Sequence, residues 1–298
     1  MLTGMILRNL LSGLVAMGVA VATVSVAGAA PVKKPLIVAG VSEWGALARQ
    51  LVGEDAHVVT LLTDPNADPH EHEATVHDAG YVALASVVLE NGAGYDTWLS
   101  KLVAVSQPDV ARVNVASLAG VSTGSNPHLF YSPRVAARFV EALTSTLARL
   151  RPAIDVRGRA RALERELARV DVRLASIKAR CGGVKVAATE DVATRLLTQA
   201  GLDVVTPKSL RLAVSNGIDP SVRPLAQALG QLSQRPAFLL NNIQTSTPLT
   251  DTMVARARAL GVPLVKVTES MRGSNYVGFL NGVLDQMQTA LARQGCAA

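Results

Sequence analysis

The sequence predicts an α/β protein of two similar lobes, each a roughly four-stranded parallel sheet with flanking helices, joined by one long spine helix. Short β-branched runs alternate with Ala- and Leu-rich helical patterns, and four such runs fall in each half of the chain. Strands that alternate with helices are typical of parallel sheets. Apolar residues make up 49% of the chain but aromatic residues only 3%, so the core must be built from Ala, Val and Leu, as buried parallel strands usually are.

The predicted elements follow from runs of β-branched residues bounded by turn residues, and from the helical patterns after most of them. The predicted strands are 36–41, 57–62, 86–90, 111–115, 184–188, 203–206, 237–241 and 264–267. The predicted helices outside the spine are 43–52, 95–103, 134–149, 191–200, 220–232, 250–260 and 276–293. Four strands in each half predict two lobes of similar construction.

The segment between the halves predicts one long amphipathic helix. Its apolar residues recur at steps of three and four, namely Leu163, Leu167, Val170, Leu174 and Ile177. Pro152 suits the first turn of such a helix, and the glycines after Cys181 suit its end. We therefore expect lobes at 30–147 and 181–298 with the connecting helix at 148–180. An ordinary surface helix would give the same pattern.

The N-terminus predicts export. Arg8 precedes an apolar stretch from 10 to 26, and the small residues that follow suit cleavage after Ala29, so that residues 1–29 form a signal peptide. An uncleaved membrane anchor is the alternative, because the stretch is long enough to span. No cysteine lies near the cleavage position, so no lipid anchor is expected. We expect a periplasmic or otherwise extracytoplasmic protein.

The two cysteines, Cys181 and Cys296, predict one disulfide, because exported chains commonly pair an even number of cysteines. Two unpaired buried thiols are the alternative.

The charge balance does not predict a nucleic-acid partner. The formal net charge is +6, but the basic residues are spread along the predicted helices. No basic patch interleaved with aromatic residues is present, and binding of single strands would need such stacking platforms.

The histidines indicate a metal site. Three of the five, His70, His72 and His77, lie within eight residues, directly after a predicted strand and a turn-rich stretch. His128 also lies between a strand and a helix. Imidazole is a common ligand of zinc and other transition metals. A single loop histidine is usually only a solvated side chain, but three so close together favour metal binding.

Two glutamates match the histidines in position. Glu190 and Glu269 each follow a predicted strand of the second half by one intervening threonine. Ligands of open α/β sheets bind outside the carboxyl ends of the strands, where His70 and His128 are also predicted to lie. Two facing lobes would therefore bring two imidazoles and two carboxylates into one cleft. Each glutamate alone would read as a helix cap or a solvated group.

Other chemistries fit the sequence less well. Ser122 lies in a Gly-x-Ser-x-Gly pattern, but turn residues follow it where a nucleophile elbow needs a helix. His70 and His72 are two residues apart, whereas the His-Glu-x-x-His motif of zinc proteases places its ligands on one helix face. A catalytic metal keeps a position open for water, and four protein ligands leave little room for it. We therefore expect a protein that is not an enzyme.

Four segments carry a resemblance to a known family, the metal-binding solute-binding proteins of bacterial ABC importers in the zinc and manganese group. The segments are Asp68-Pro-His-Glu-His-Glu-Ala-Thr75, Asn126-Pro-His-Leu129, Ala188-Thr-Glu190 and Val267-Thr-Glu-Ser270. The stretch 87–99 is similar to the family's apolar strand, Asn-Gly turn and Trp-Leu helix, and the stretch 241–245 is similar to one that faces the family's cleft. His72 and Ala74 depart from the family pattern, which often has an aromatic residue and proline there.

The resemblance implies a function and a ligand set. The metal ligands would be His70, His128, Glu190 and Glu269, and the partner would be the membrane permease of an ABC importer. Zinc is favoured as the cargo and manganese is possible, because imidazole suits zinc whereas carboxylates suit harder ions. We expect a monomer. The alternatives are a metal-dependent hydrolase, and an adhesion or scaffold protein that a metal ion merely stabilises.

Overall fold

The fold contains two four-stranded parallel sheets, and the computed structural model describes it for residues 34–296 except 65–66, 68, 71, 216 and 245. The predicted signal peptide, residues 1–29, lies outside the described residues. The first sheet consists of β1 (Leu36–Ala39), β2 (His57–Thr60), β3 (Val87–Glu90) and β4 (Ala111–Asn114). The second consists of β5 (Lys185–Ala188), β6 (Asp203–Val204), β7 (Leu239–Asn242) and β8 (Leu264–Val267). The eight predicted strands and the two-lobed α/β class are thereby confirmed.

Eleven α-helices are assigned within the described part of the chain. Those of the first half are α1 (Ser42–Val52), α2 (Val76–Leu84), α3 (Thr97–Ser106), α4 (Val115–Ala119) and α5 (Pro133–Leu150). The spine is α6 (Arg157–Cys181), and the second half has α7 (Thr194–Gln199), α8 (Lys208–Ser215), α9 (Val222–Leu232), α10 (Pro248–Ala259) and α11 (Tyr276–Ala292). Helices α2, α4 and α8 were not predicted from the sequence.

The two sheets have the same topology. The strand orders are β2-β1-β3-β4 and β6-β5-β7-β8, and every pairing is parallel. In each sheet the chain leaves the first strand to one side and returns on the other, so the order reverses between β1 and β3 and again between β5 and β7. Loops diverge at such a switch point and leave a crevice at the carboxyl ends of the strands. All four candidate ligands follow the carboxyl ends of strands.

The spine helix α6 is amphipathic as predicted. Leu163, Leu167, Val170, Leu174 and Ile177 are all buried, and the helix packs against α1, α5 and α11. It begins at Arg157, five residues later than Pro152 suggested, because a turn precedes it. In that turn the side chain of Asp155 accepts a hydrogen bond from the N–H of Arg157 (3.0 Å).

Arginines tie the spine to both lobes. Arg159 donates to the carbonyls of Leu51 (2.7 Å) and Val52 (3.0 Å) at the end of α1. Farther along the helix, Arg173 donates to Asn281 (2.6 Å) and forms an ion pair with Asp285 (2.7 Å) on α11. One continuous helix is thus bonded to an element of each lobe, which restricts how far the lobes can move apart.

A disulfide joins Cys181, at the end of the spine, to Cys296, after α11, and their Cα atoms are 5.8 Å apart. The predicted pairing is therefore confirmed. The bond fastens the last helix of the second lobe to the C-terminus of the spine.

Among residues 34–296, apart from the gaps given above, no helix has both the length and the apolar character needed to cross a membrane.

Candidate metal centre

The four candidate ligands come from four loops at the carboxyl ends of the sheets. His70 is exposed in the loop between β2 and α2, and His128 is buried before the short 3-10 helix Leu129–Tyr131. Glu190 is buried two residues beyond β5, and Glu269 lies two residues beyond β8. Two of the candidate ligands therefore follow strands of the first sheet, and two follow strands of the second.

The closest contact between candidate ligands joins the two lobes. The Nε2 atom of His128 lies 2.9 Å from Oε1 of Glu269. The side chain of His128 is 1% exposed and that of Glu269 is 15% exposed, so the pair is largely shielded from water. An imidazole nitrogen and a carboxylate oxygen at this distance form a hydrogen bond, and both are atoms that coordinate transition metals.

Tyr95 lies next to the pair and also contacts a third candidate ligand, His70. Its ring contacts the ring of His70 edge-on, with centroids 5.0 Å apart, and the ring of His128 in the same manner at 5.6 Å. Its hydroxyl donates to the backbone carbonyl of Glu269 (3.3 Å). Tyr95 therefore packs between the two imidazoles and reaches the loop that carries the carboxylate.

The structure does not assemble a complete coordination shell. Within the described residues, no three His, Cys, Asp or Glu side chains are placed so as to hold one metal ion. His128 and Glu269 are in contact, and His70 adjoins them through Tyr95. Glu190 adjoins the pair through its neighbour, because the amide of Asn126 donates to the carbonyl of Asp191 (2.7 Å). The four-ligand site stays a prediction.

The loop that carries Glu269 is held from within its own lobe by Gln244. The Oε1 atom of Gln244 accepts hydrogen bonds from the backbone N–H groups of Glu269 (2.5 Å) and Ser270 (2.8 Å). Two N–H groups that share one acceptor fix the direction of a loop more firmly than one. Sequence reasoning noted the stretch 241–245 but assigned no role to Gln244.

Residues of the first lobe hold the same loop from the other side. The N–H of Met271 donates to Oε1 of Glu43 (2.6 Å) and to Oγ of Ser42 (3.1 Å). The hydroxyl of Tyr131 donates to the carbonyl of Thr268 (2.7 Å). We call these three side chains, Ser42, Glu43 and Tyr131, the first-lobe clamp. Sequence reasoning missed the clamp, although Glu43 follows the predicted strand 36–41 by one intervening residue, as Glu190 follows its own predicted strand.

Burial changes the acid–base properties of the clamp. Loss of contact with water raises the pKa of Glu43 from 4.5 to about 7, and hydrogen bonds from the backbone, including that of Met271, oppose the rise. Burial also raises the pKa of the Tyr131 hydroxyl, which therefore stays protonated and can act as a donor.

The segment before His128 is positioned by Asn91. The amide nitrogen of Asn91 donates to the carbonyl of Pro127 (2.9 Å), while its oxygen accepts from the indole N–H of Trp44 (2.9 Å). Asp96 accepts from the N–H groups of Asn91 (2.7 Å) and Gly92 (2.8 Å). Gly92 has φ +72°, and a Cβ there would lie 2.7 Å from Oδ1 of Asn114. This Asn-Gly turn therefore requires glycine, because its φ is positive and because there is no room for a Cβ.

The other two histidines of the cluster make different contacts. His72 packs edge-on against Trp98 (centroids 4.4 Å apart), and its Nε2 lies 3.5 Å from Asp78. His77 lies in α2 and packs against Tyr81 (4.7 Å). The indole N–H of Trp98 also donates to the carbonyl of Pro69 (3.1 Å), directly before His70. His72 thus contacts the tryptophan that anchors the His70 loop.

Comparison with known proteins identifies a family and solved structures that share the fold. Residues 37–290 match the model of the family described as zinc-uptake complex component A, periplasmic (ZnuA). The solute-binding protein FpvC of Pseudomonas aeruginosa, in complex with Ni²⁺, superposes with a TM-score of 0.71 at 23% identity and covers 89% of this chain and 100% of its own.

Two further solved structures share the fold. The periplasmic zinc-binding protein TroA of Treponema pallidum gives a TM-score of 0.71 at 19% identity, with 87% of this chain and 99% of TroA covered. A Cd-bound periplasmic metal-binding protein of Candidatus Liberibacter asiaticus gives 0.65 at 16%, with 85% and 98% covered. The matched model spans most of the chain and the same two-lobed fold recurs, so this protein belongs to the ZnuA family of periplasmic metal-binding solute-binding proteins.

Proposed function

We propose that the protein is the exported component of an ABC importer that captures a divalent transition-metal ion between its lobes and delivers it to a membrane permease. His70, His128, Glu190 and Glu269 would be the ligands. The observation that carries the proposal is the shielded contact between His128 and Glu269 (2.9 Å), because it joins a candidate ligand of each lobe. An ion bound there would hold the lobes together.

The donor set suits a doubly charged ion. Two neutral imidazoles and two carboxylates together neutralise a 2+ charge, which lowers the cost of moving the ion out of water into a partly shielded cleft. Zinc is the favoured cargo, because sites with nitrogen and oxygen ligands bind zinc far more tightly than manganese and because four protein ligands match its tetrahedral preference. A carboxylate that binds through both oxygens would raise the coordination number and favour manganese instead.

The proposal also includes export, a monomeric state and the bounds of the two lobes. Residues 1–29 would direct export and then be removed, and the mature chain would act as a monomer in the periplasm or an equivalent extracytoplasmic space. The lobes would comprise 30–147 and 181–298, with 148–180 between them. A carrier of this kind releases its ion unchanged, so we expect stoichiometric binding without catalytic turnover.

Titration of the metal-free mature protein with Zn²⁺ tests the ligand set. Replacing either His70 or His128 by alanine should weaken Zn²⁺ binding by more than about 100-fold, about 3 kcal/mol, because each would remove a nitrogen ligand. His77→Ala is the matched control, since that ring contacts Tyr81 on α2, and it should bind Zn²⁺ as the wild-type protein does. The same titration with Mn²⁺ should give much weaker binding.

Two results would count against the proposal. Failure of the wild-type protein to bind either ion would remove the function itself. Loss of binding in His72→Ala but not in His70→Ala would mean that the ligand of the first loop is misassigned.

A further inference from the structure

Asn126, two residues before His128, has a side-chain amide with a fixed orientation. Its Oδ1 accepts from the backbone N–H of His128 (2.9 Å), and its Nδ2 donates to the carbonyl of Asp191 (2.7 Å). A backbone N–H can only donate and a backbone carbonyl can only accept. The first partner requires the amide oxygen and the second requires the amide nitrogen, so the two atoms cannot be exchanged.

This orientation determines which nitrogen of His128 carries a hydrogen. Oδ1 of Asn126 also lies 3.0 Å from Nδ1 of the His128 ring. An amide oxygen has no hydrogen to give, so Nδ1 must be the donor. The other nitrogen, Nε2, points to Glu269 at 2.9 Å. Whether a hydrogen or a metal ion lies between Nε2 and the carboxylate, Nδ1 keeps its own hydrogen.

The same amide links the two lobes. Besides Asp191, its Nδ2 contacts Oγ1 of Thr194 at 3.0 Å, and the side chain of Arg195 donates to the backbone carbonyl of Asn126. Asp191 directly follows the candidate ligand Glu190. The Asn126 side chain therefore joins the loop of His128 in the first lobe to the segment after Glu190 in the second lobe.

We propose that Asn126 is a positioning residue of the metal site, one that holds the His128 ring with Nε2 toward the cleft and ties the His128 loop to the segment after Glu190. The inference rests on the proposed function, since it assumes that His128 is a ligand. A hydrogen-bond acceptor on the second nitrogen of a ligating histidine orients the ring and increases its basicity, and loss of such a partner typically reduces metal affinity by about 10–100-fold.

Three variants separate the two roles of the amide. Asn126→Ala removes both the contact with Nδ1 and the contacts with the second lobe. Asn126→Asp keeps an oxygen that can accept from Nδ1 but lacks the donor to the Asp191 carbonyl. Thr194→Val removes one partner of Nδ2 and leaves the contact with His128 intact, and it serves as the matched control.

The experiment measures Zn²⁺ affinity by competition with a chromogenic chelator, and records the visible absorption spectrum of each protein loaded with Co²⁺. Asn126→Ala should bind Zn²⁺ about 10–100-fold more weakly, with a Co²⁺ spectrum altered from that of the wild type. Asn126→Asp should be closer to the wild type than to Asn126→Ala in both measurements, and Thr194→Val should match the wild type. A residue that only stabilised the fold would leave the Co²⁺ spectrum unchanged.

The outcomes distinguish this inference from the proposed function. If the wild-type protein binds Zn²⁺ and Asn126→Ala binds it equally well, the inference fails and the proposed function stands. If Thr194→Val weakens binding as much as Asn126→Ala, or if Asn126→Asp gives no recovery, the orientation of the ring by Asn126 is refuted. If the wild-type protein binds no metal ion, the proposed function fails, and this inference fails with it.

Discussion

Replacement of Glu43 by glutamine should make the stability of the protein less dependent on pH. Glu43 is 1% exposed, and its Oε1 accepts from the N–H of Met271 (2.6 Å) across the lobe boundary. Burial raises the pKa of this carboxyl from 4.5 to about 7 in the folded protein. Glutamine has nearly the same shape and can accept the same hydrogen bond, but it does not ionise.

The sign of the effect follows from proton binding. Between pH 4.5 and about 7 the unfolded chain has lost the Glu43 proton while the folded protein still holds it. The folded state then binds more protons, so the free energy of unfolding falls as the pH rises through this window. The stabilisation is fully present below pH 4.5 and is lost above about pH 7.

The magnitude follows from the two pKa values. They differ by about 2.5, and each unit corresponds to 1.36 kcal/mol, so the carboxyl accounts for about 3 kcal/mol between the two ends of the window. Relative to the wild-type protein, Glu43→Gln should therefore gain about 2–3 kcal/mol in stability on going from pH 5 to pH 8.

Urea unfolding of the metal-free proteins measures this difference. Wild-type protein and variant are unfolded at pH 5 and at pH 8, and the difference between their free energies of unfolding is taken at each pH. Groups that the two proteins share contribute equally to both free energies, so their titration cancels in this difference. Glu164→Gln, on the exposed face of α6, is the control for replacing a glutamate by glutamine outside the clamp. A stability difference for Glu43→Gln that is the same at pH 5 and pH 8 would refute the reasoning, because the buried carboxyl would then titrate alike in the folded and unfolded states.

Two further predictions concern the disulfide and the signal peptide. Replacing both Cys181 and Cys296 by alanine should lower the free energy of unfolding by about 2–5 kcal/mol in guanidinium chloride, because the bond closes a loop with a sequence separation of 115. A reductant should destabilise the wild-type protein but not the double variant, and equal midpoints for the two proteins without reductant would contradict the prediction. N-terminal sequencing of the exported protein should begin at Ala30, whereas an intact Met1 on a protein retained in the cytoplasm would exclude export.

The sequence by itself determined the fold class, because its signals are local. Runs of β-branched residues predicted all eight strands, and the three- and four-residue steps of apolar residues predicted the buried face of the spine helix. Two cysteines allow only one pairing, so the disulfide followed from their number once export was assumed. The motifs around His70, His128, Glu190 and Glu269 were enough to indicate the family.

Some local signals were present but were not used. Helix α2 was missed, although Thr75 and Asp78 form a capping box in which each side chain accepts from the other's backbone N–H. Their spacing of three residues is a known helix-start signature. No helix was predicted between the strands 57–62 and 86–90.

The contacts between the lobes were decided by the tertiary structure alone. His128 and Glu269 are 141 residues apart in sequence and meet at 2.9 Å. Glu43 and Met271 are 228 residues apart, and their contact connects the first-lobe clamp to the Glu269 loop. Periodicity describes which face of one element is buried, but it contains no information about which loops of two different sheets will meet. That depends on how both lobes pack against the spine, and only the folded chain brings these polar groups together.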